Sequence, residues 1–286
     1  MTILVTGATG RVGRHVVGGL VRAGESVRGM TRSPEKAGLP AAVELVRGDL
    51  THPETLATAL TGVDRVYLFP VPDTAEAFVK LAVEAGVRRI VVLSSMSVEY
   101  VEQGASDYSG DHHGAVERAV ETADVEWTHV RPGELMANVL SWADSIRQER
   151  VVRAPYAWTP SFMVHEADVA DVIVTALLRD GHAGKRYSLI GSEALTKFDQ
   201  VRILSEVLGE EIRYEELTLE QARELLLTQG MAPEGVDWLL SDPVLDGAQP
   251  PIDPAQVGPT AERVTGRPAR TFAQWVADHR ADFLPA

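Results

Sequence analysis

Short apolar runs alternate with amphipathic stretches through the first half of the chain. The runs are hydrophobic throughout rather than at every second position, which is typical of strands covered on both faces. We predict strands at Thr2–Thr6, Ser26–Met30, Val43–Arg47, Arg65–Phe69, Arg89–Ser94 and Glu126–Arg131. We predict helices near Arg11–Ala23, Pro53–Leu60, Thr74–Ala85 and His112–Thr122. Because strands and helices alternate, the fold class is predicted to be α/β, a doubly wound parallel sheet.

The pattern loosens after Gly133. Glu166–Arg179 has the pattern of a core-facing helix and Arg186–Ile190 that of a strand, and a Pro/Gly-rich loop, predicted to be ordered, spans Asp242–Pro259. Further helices are predicted at Lys197–Leu208, Thr218–Gln229 and Thr271–Ala281. We therefore expect a core domain over residues 1–150, with helix 166–180 packing back on it, and a smaller, mainly C-terminal α/β subdomain over residues 151–286. This subdomain would cover a substrate, since doubly wound sheets bind ligands above the carboxyl ends of their strands.

Composition and charge exclude several classes of function. The 286 residues carry a formal net charge of −14, which argues against a nucleic-acid partner because phosphate backbones need a surplus of Lys and Arg. Cysteine is absent, so disulfides and thiolate nucleophiles are excluded. No uncharged run approaches the roughly 20 residues that cross a bilayer. We expect a cytoplasmic protein that binds a small molecule and neither nucleic acid nor a membrane.

A glycine-rich loop stands between the first predicted strand and the first predicted helix. Its sequence is Gly7-Ala8-Thr9-Gly10-Arg11-Val12-Gly13. The first glycine permits a tight turn, the second lets a pyrophosphate approach the backbone, and the third allows close helix–strand packing. The helix N-terminus then offers unpaired N–H groups to the phosphates. The loop therefore predicts a dinucleotide site, with Gly7, Thr9, Gly10, Arg11, Val12 and Gly13 around the cofactor.

The residue after the second strand indicates which dinucleotide is bound. An acidic residue there would bind a ribose 2′-hydroxyl and favour NAD. Here Arg32 stands nineteen positions after Gly13. A guanidinium suits a 2′-phosphate, and Arg11 is a second candidate donor. We therefore predict NADP(H) as the cofactor.

The GATGxxG start is similar to that of extended and atypical short-chain dehydrogenases/reductases. Later stretches resemble the NmrA-like branch of that superfamily, and the similarity covers most of residues 1–215. They are Arg47-Gly48-Asp49-Leu50, Phe69-Pro70-Val71, Ser94-Ser95, Thr128-His129-Val130-Arg131-Pro132-Gly133 followed by Asn138, Asp168-Val169-Ala170, and Leu189-Ile190-Gly191 with Leu195-Thr196. The resemblance implies an NAD(P)-binding Rossmann fold. It assigns Asp49, Leu50, Phe69, Pro70 and Ser94 to the cofactor, and Ser95, Met96, Pro132, Gly133 and Asn138 to the substrate cleft.

The resemblance also implies a proton donor. Reductases of the superfamily pair a Tyr with a Lys four residues later, and the ammonium lowers the pKa of the phenol. Here Tyr108 is followed four residues on by His112, and no lysine lies between residues 81 and 184. Ser109-Gly110-Asp111 has the pattern of a helix start, which predicts that Tyr108 precedes the helix. The candidate catalytic residues are Tyr108, His112 and His113.

Three functions are compatible with these features. The first is an NADPH-dependent reductase of a small conjugated acceptor, a quinone or an enone-like metabolite, which needs less acid assistance than a plain ketone. The second is a regulatory protein that senses NADP(H) without turnover. The third is a non-redox dehydratase, epimerase or cyclase on the same scaffold. A homodimer is possible, and no metal is expected because the histidines lack metal-ligand spacing.

Overall fold

The computed structural model describes residues 1–104, 108–241 and 260–284, and it divides the chain into two units. The first unit consists of Met1–Gly133, Glu166–Leu189 and Pro259–Pro268. The second unit consists of Glu134–His165, Ile190–Gly258 and Ala269–Ala286. The loop predicted at Asp242–Pro259 lies outside the described residues.

The strands form two parallel sheets. In chain order they are β1 (Thr2–Val5), β2 (Ser26–Thr31), β3 (Glu44–Arg47), β4 (Arg65–Leu68), β5 (Arg89–Leu93), β6 (Glu126–Pro132), β7 (Val151–Ala154), β8 (Lys185–Leu189) and β9 (Arg213–Glu216). The first unit holds a seven-stranded sheet in the order β3-β2-β1-β4-β5-β6-β8, and every pairing in it is parallel. Strand order reverses on either side of β1, which opens a ligand crevice at the carboxyl edge. The prediction of a doubly wound parallel sheet is confirmed.

The helices follow the same chain order. They are α1 (Arg11–Arg22), α2 (Ala57–Leu60), α3 (Ala75–Glu84), α4 (Ser97–Glu102), α5 (Tyr108–Glu121), α6 (Ala143–Glu149), α7 (Glu166–Leu178), α8 (Lys197–Leu208), α9 (Leu219–Thr228), α10 (Pro233–Leu240), α11 (Thr260–Thr265), α12 (Phe272–Asp278) and α13 (Arg280–Phe283). Short 3-10 helices occupy Pro34–Lys36, Pro53–Thr55, Pro72–Thr74 and Met136–Trp142. Within the described ranges, no helix combines the length and the apolar character that crossing a bilayer requires.

Both faces of the large sheet are covered by helices. Alternate strand residues such as Leu4 and Ile90 share a buried cluster with Phe78 of α3 and Val116 of α5. On the opposite face α1 packs against α7, where Gly19 approaches so closely that a Cβ would lie 2.9 Å from Cγ2 of Val174. Side chains of a strand alternate between faces, so this double cover explains why the strands are apolar throughout.

The second unit has its own core. Strands β7 and β9 pair in parallel, with Val151 opposite Arg213. Its buried cluster includes Phe272 and Trp275, whose rings stack with centroids 5.7 Å apart. Residues 134–150, expected in the first domain, belong to this unit, since side chains such as Ile146 join the same cluster. The first unit ends instead at Gly133, and α7 and β8, which come later in the sequence, also belong to it.

Two predicted helices differ from the observed ones in continuity. The segment Pro53–Leu60 forms a 3-10 turn followed by α2, and the segment Thr271–Ala281 is divided at His279 into α12 and α13. Thr271 caps α12 through a capping box with Gln274. Neither difference moves a residue of the candidate site.

Candidate functional site

The glycine loop has the shape that close approach of a phosphate requires. Gly7 adopts a φ of +56°, in the left-handed region that favours glycine. A Cβ on Gly13 would lie 2.1 Å from the Gly7 carbonyl oxygen, so no side chain fits there. The tight packing that the sequence assigned to the third glycine is therefore present between α1 and the end of β1.

Helix α1 begins in a way that suits an anion. Its N-cap residue is Gly10, which is exposed and has no side chain to bond the first-turn N–H groups. A Cβ on Gly10 would reach within 3.1 Å of the Gly7 carbonyl oxygen and fill the space above the loop. Four N–H groups at a helix start have no intrahelical partner. The Gly10 N–H donates to the Gly7 carbonyl at 2.9 Å, and the N–H groups of the first turn that follow it are available to a pyrophosphate. The loop thus fits a dinucleotide.

Thr6 joins the carboxyl ends of β1 and β4, a role that the sequence did not reveal. Its buried hydroxyl donates to the Tyr67 carbonyl (3.0 Å) and accepts from the Phe69 N–H (2.8 Å). Phe69 consequently lies against Gly7, where a Cβ would meet the Phe69 Cβ at 3.2 Å, and its ring is 43% exposed. Phe69 therefore borders the loop, and the half-buried Pro70 follows it in the sequence.

Arg32 follows β2 directly and is exposed. Its backbone is fixed because Arg47 donates from Nη1 to the Arg32 carbonyl at 2.6 Å. Across the edge, hydrogen bonds from the backbone and hydroxyl of Thr51 hold the pKa of Asp49 below its ordinary value, with a smaller contribution from the Arg32 charge. Arg32 and Asp49 thus lie near each other at the end of the sheet next to the glycine loop.

Several predicted cofactor residues have buried side chains. Val12 and Leu50 are 4% and 8% exposed, and Leu50 belongs to the core cluster. Ser94 is 3% exposed, and its hydroxyl donates to Oε1 of Glu117 at 2.5 Å. These three residues can contribute backbone or packing to a cofactor site, whereas their side chains are engaged in the interior. Thr9 is half-buried and Arg11 is exposed.

The expectation that Tyr108 precedes its helix is wrong. Helix α5 begins at Tyr108, so Tyr108 and His112 are one turn apart on the same helix. Gly110 lies inside the helix because α5 crosses α4 closely, and a Cβ there would be 2.4 Å from the Ser97 carbonyl oxygen. His112 is exposed and His113 half-buried. The glycine that resembled a helix start is required by this crossing.

The predicted substrate residues of the first unit cluster at the ends of β5 and β6. Met96 donates its N–H to the Pro132 carbonyl (3.0 Å), and Gly133 donates to the Leu189 carbonyl (2.8 Å). Ser95 is half-buried and accepts a hydrogen bond from the Ser97 hydroxyl at 2.8 Å. Asn138 belongs to the second unit, where it lies exposed on the 3-10 helix Met136–Trp142.

A buried ion-pair network lies beneath this edge. Arg131, 2% exposed, donates from Nε and Nη2 to Oε1 and Oε2 of Glu117 at 2.9 and 2.6 Å. It also donates to both carboxylate oxygens of Glu102, at 3.1 and 2.7 Å. Burial lowers the pKa of the neighbouring His129, whose Nε2 is 3.1 Å from Glu121. The network ties α4, α5 and β6 together.

Glu117, Glu121 and His129 also bring ligand atoms within 4.8 Å of one another. The positive charge that these carboxylates require is supplied by arginines. Arg131 binds Glu117, and Arg186 binds Glu121 with Nη2 2.5 Å from Oε1. A metal ion would have to displace these guanidinium groups, so we assign the cluster to the ion-pair network.

The family of this chain is evident from comparison with known proteins. Residues 7–180 match the model of a family described as NAD(P)H-binding. This chain belongs to that family. The matched residues begin at the glycine loop and end after α7, so they contain the whole loop and most strands of the large sheet.

Relatives extend over the whole chain. The (4-alkanoyl-5-oxo-2,5-dihydrofuran-3-yl)methyl phosphate reductase of Streptomyces griseus is 42% identical and covers 99% of both chains. The NAD(P)H azoreductase of Xenophilus azovorans is 34% identical, covering 98% of this chain and 99% of its own. An NADPH-dependent quinone oxidoreductase of Escherichia coli, solved in complex with NADPH, matches with a TM-score of 0.78 at 22% identity, covering 96% of this chain and 99% of its own.

These findings confirm four predictions from the sequence. The resemblance to NmrA-like proteins of the atypical short-chain dehydrogenase/reductase superfamily holds, and so does the Rossmann fold. The chain is an NAD(P)H-dependent oxidoreductase that acts on small acceptors. The family is described as NAD(P)H-binding, which confirms the prediction of a nicotinamide dinucleotide as the cofactor.

Proposed function

We propose that the chain reduces the carbon–carbon double bond of an acylated butenolide phosphate with NADPH. The observation that carries this proposal is the 42% identity, over 99% of both chains, to a reductase whose name describes such a molecule. The butenolide ring is an enone-like acceptor, the class that the sequence favoured. Its 3,4-double bond is conjugated with the ring carbonyl and with the alkanoyl carbonyl.

The reaction makes modest demands on the protein. When bound, NADPH supplies the hydride. The acceptor gains this hydride at C3, and the electron pair of the double bond moves to C4, where two carbonyl oxygens share the charge. A proton then adds to C4, which balances the reduction. Because the acceptor stabilises its own charge, a strongly acidic donor is unnecessary.

The candidate proton donors agree with this low demand. Position 112, one turn after Tyr108, is a histidine rather than a lysine, so no permanent ammonium at this position lowers the pKa of the phenol. A plain ketone would concentrate the charge on one oxygen and would need that ammonium. We infer that Tyr108, His112 or His113 delivers the proton at a rate adequate for the activated double bond.

We further propose that Arg32 selects NADPH and that two loop residues, the half-buried Thr9 and the exposed Arg11, bind the pyrophosphate side. The predicted lining residues Ser95, Met96, Pro132, Gly133 and Asn138 remain proposals for the acceptor. A homodimer and a cytoplasmic location also remain proposals, which light scattering and cell fractionation would test.

Steady-state consumption of NADPH tests the function. The purified chain is incubated with NADPH and, separately, the butenolide phosphate, a simple quinone, an azo dye and a saturated ketone. We expect the highest kcat/KM with the butenolide phosphate and no turnover of the ketone. Consumption of NADPH with none of the acceptors would overturn the proposal in favour of a sensing or non-redox role.

A further inference from the structure

Lys197 differs from the other three lysines of the chain. Lys36, Lys80 and Lys185 are exposed, whereas the Lys197 side chain is only 18% exposed. Lys197 is the first residue of α8, and its N–H donates to the Ala157 carbonyl at 3.2 Å. Its position is therefore fixed by backbone on one side and by its buried stem on the other.

The ammonium of Lys197 has few close contacts within the protein. Its Nζ lies 5.7 Å from the centre of the Trp142 ring and 4.0 Å from Oε1 of Glu134. Among residues 1–104, 108–241 and 260–284, no acceptor lies within hydrogen-bond distance of Nζ. An ammonium has three N–H donors, and because Nζ of Lys197 keeps access to solvent, these donors are available to an anion that arrives from outside.

Arg153 of the same unit, in contrast, has close carboxylate partners. Arg153 donates to Glu149 at 2.7 Å and to Glu215 at 2.8 Å. Lys197 is more buried than Arg153, whose side chain is 31% exposed, yet it has a single distant carboxylate. The contrast indicates that Lys197 is poised for an anion that arrives from outside the chain.

We propose that Lys197 binds the phosphate group of the acceptor, an inference that rests on the proposed function. A phosphate dianion offers three oxygens and more charge than Glu134, which is 37% exposed and holds the ammonium only at 4.0 Å. The Trp142 ring face stabilises the cation without consuming a hydrogen-bond donor. Lys197 is thus a specificity-determining residue for phosphorylated acceptors.

The chain segment that contacts Lys197 supports this assignment. Glu134 directly follows Gly133 at the end of β6, and Trp142 ends the 3-10 helix that carries Asn138. Asn138 is one of the predicted acceptor residues. Lys197 therefore lies beside two residues that flank Asn138 along the chain, all of them in the second unit.

The test compares two acceptors that differ only in the phosphate. Initial rates of NADPH consumption are measured with the butenolide phosphate and with its hydroxymethyl analogue, for wild type, Lys197→Met and Lys197→Arg. We expect Lys197→Met to raise KM for the phosphate ester by about 10- to 100-fold, with the analogue changed less than about twofold. Lys197→Arg restores most of the affinity because the positive charge is kept.

Controls separate the anchor from other effects. Lys185→Met removes an exposed lysine of β8 and should leave both acceptors unchanged. Inorganic phosphate should compete with the ester in wild type and lose its inhibition in Lys197→Met. Two results would overturn the phosphate-binding role of Lys197 alone. Either Lys197→Met turns over the phosphate ester as fast as wild type, or it loses activity equally with both acceptors. A wild type inactive with both acceptors overturns the proposed function, and the substrate assigned to Lys197 falls with it.

Discussion

Replacing Arg131 with methionine tests the buried network most directly. The substitution keeps an unbranched side chain at the end of β6 but removes the guanidinium that binds both oxygens of Glu117. The Glu117 side chain is 4% exposed, so water cannot take over the lost contacts. Removing one partner of a buried pair leaves an uncompensated charge and costs about 3–5 kcal/mol of unfolding free energy.

The unfolding free energy lost in Arg131→Met should depend on pH in a defined direction. Burial alone would raise the pKa of Glu117, but hydrogen bonds from Arg131, the charge of His129 and a bond from Ser94 hold it below its ordinary value. In wild type this carboxylate therefore stabilises the fold above about pH 4.3, the pKa of an unfolded Glu, and the contribution is lost as the pH falls through its folded pKa.

In Arg131→Met the contribution of Glu117 to stability should depend on pH in the opposite direction. Without the guanidinium, burial raises the pKa of Glu117 above its unfolded value, so the folded variant takes up a proton that the unfolded chain does not. The pKa of His129, which burial lowers and the Arg131 charge lowers further, rises as well. Both changes favour the folded variant as the pH falls, so its deficit relative to wild type should shrink between about pH 7 and about pH 5.

Urea unfolding followed by circular dichroism at these two pH values measures the deficit. Arg202→Met is the matched control, because Arg202 pairs with Glu206 at 2.9 Å on α8 with both side chains more than half exposed. That exposed pair should contribute less than about 0.5 kcal/mol at either pH. A deficit for Arg131→Met as small as that of the control, or one that does not change with pH, would refute the reasoning.

Three further predictions concern the cofactor and the proton. Arg32→Ala should weaken NADPH binding by about 1.5–3 kcal/mol and leave NADH nearly unchanged in titration calorimetry, and equal weakening of both contradicts the assignment. Gly13→Ala should abolish NADPH binding because its Cβ would lie 2.1 Å from the Gly7 carbonyl oxygen, whereas Gly235→Ala, with 3.5 Å of clearance, should bind normally. Tyr108→Phe should lower kcat by about 10²-fold and His112→Ala should lower kcat and displace its pH profile, unless solvent supplies the proton.

The sheet was predictable because its strands carry a signal of their own. In runs such as Ile90–Leu93 every residue is both apolar and buried, so burial and apolar sequence coincide along them. The residue at which a helix begins depends instead on contacts with other helices and strands. The start of α5 was misplaced because Gly110 is needed for a crossing with α4, and a contact between two elements leaves no local pattern. The same holds for residues 134–150, whose partners in the core include Phe272 and Trp275, more than 100 positions later.

The residues of the candidate site show the same difference between local motifs and contacts that are distant in sequence. The glycine loop is a local motif whose residues act on one another, and Gly7, Gly10 and Gly13 lie together in the structure. Thr6 acts only through β4, sixty-one residues away, and its sequence neighbours give no hint of that role. Lys197 likewise acquires its meaning from Trp142 and Glu134, so only the tertiary structure distinguishes it from the exposed lysines.

The replacement of a lysine by His112 and the class of acceptor explain each other. A fixed ammonium beside Tyr108 would acidify the phenol for acceptors that place a full charge on one oxygen. On the proposed function, the acylated butenolide distributes that charge over two carbonyl groups before any proton arrives, so an ammonium beside the phenol is not needed. What this acceptor demands instead is an anchor for its phosphate, and the half-buried lysine of the chain stands in the second unit rather than on α5. On the proposed function, positive charge therefore serves to bind the substrate through Lys197 rather than to acidify the proton donor.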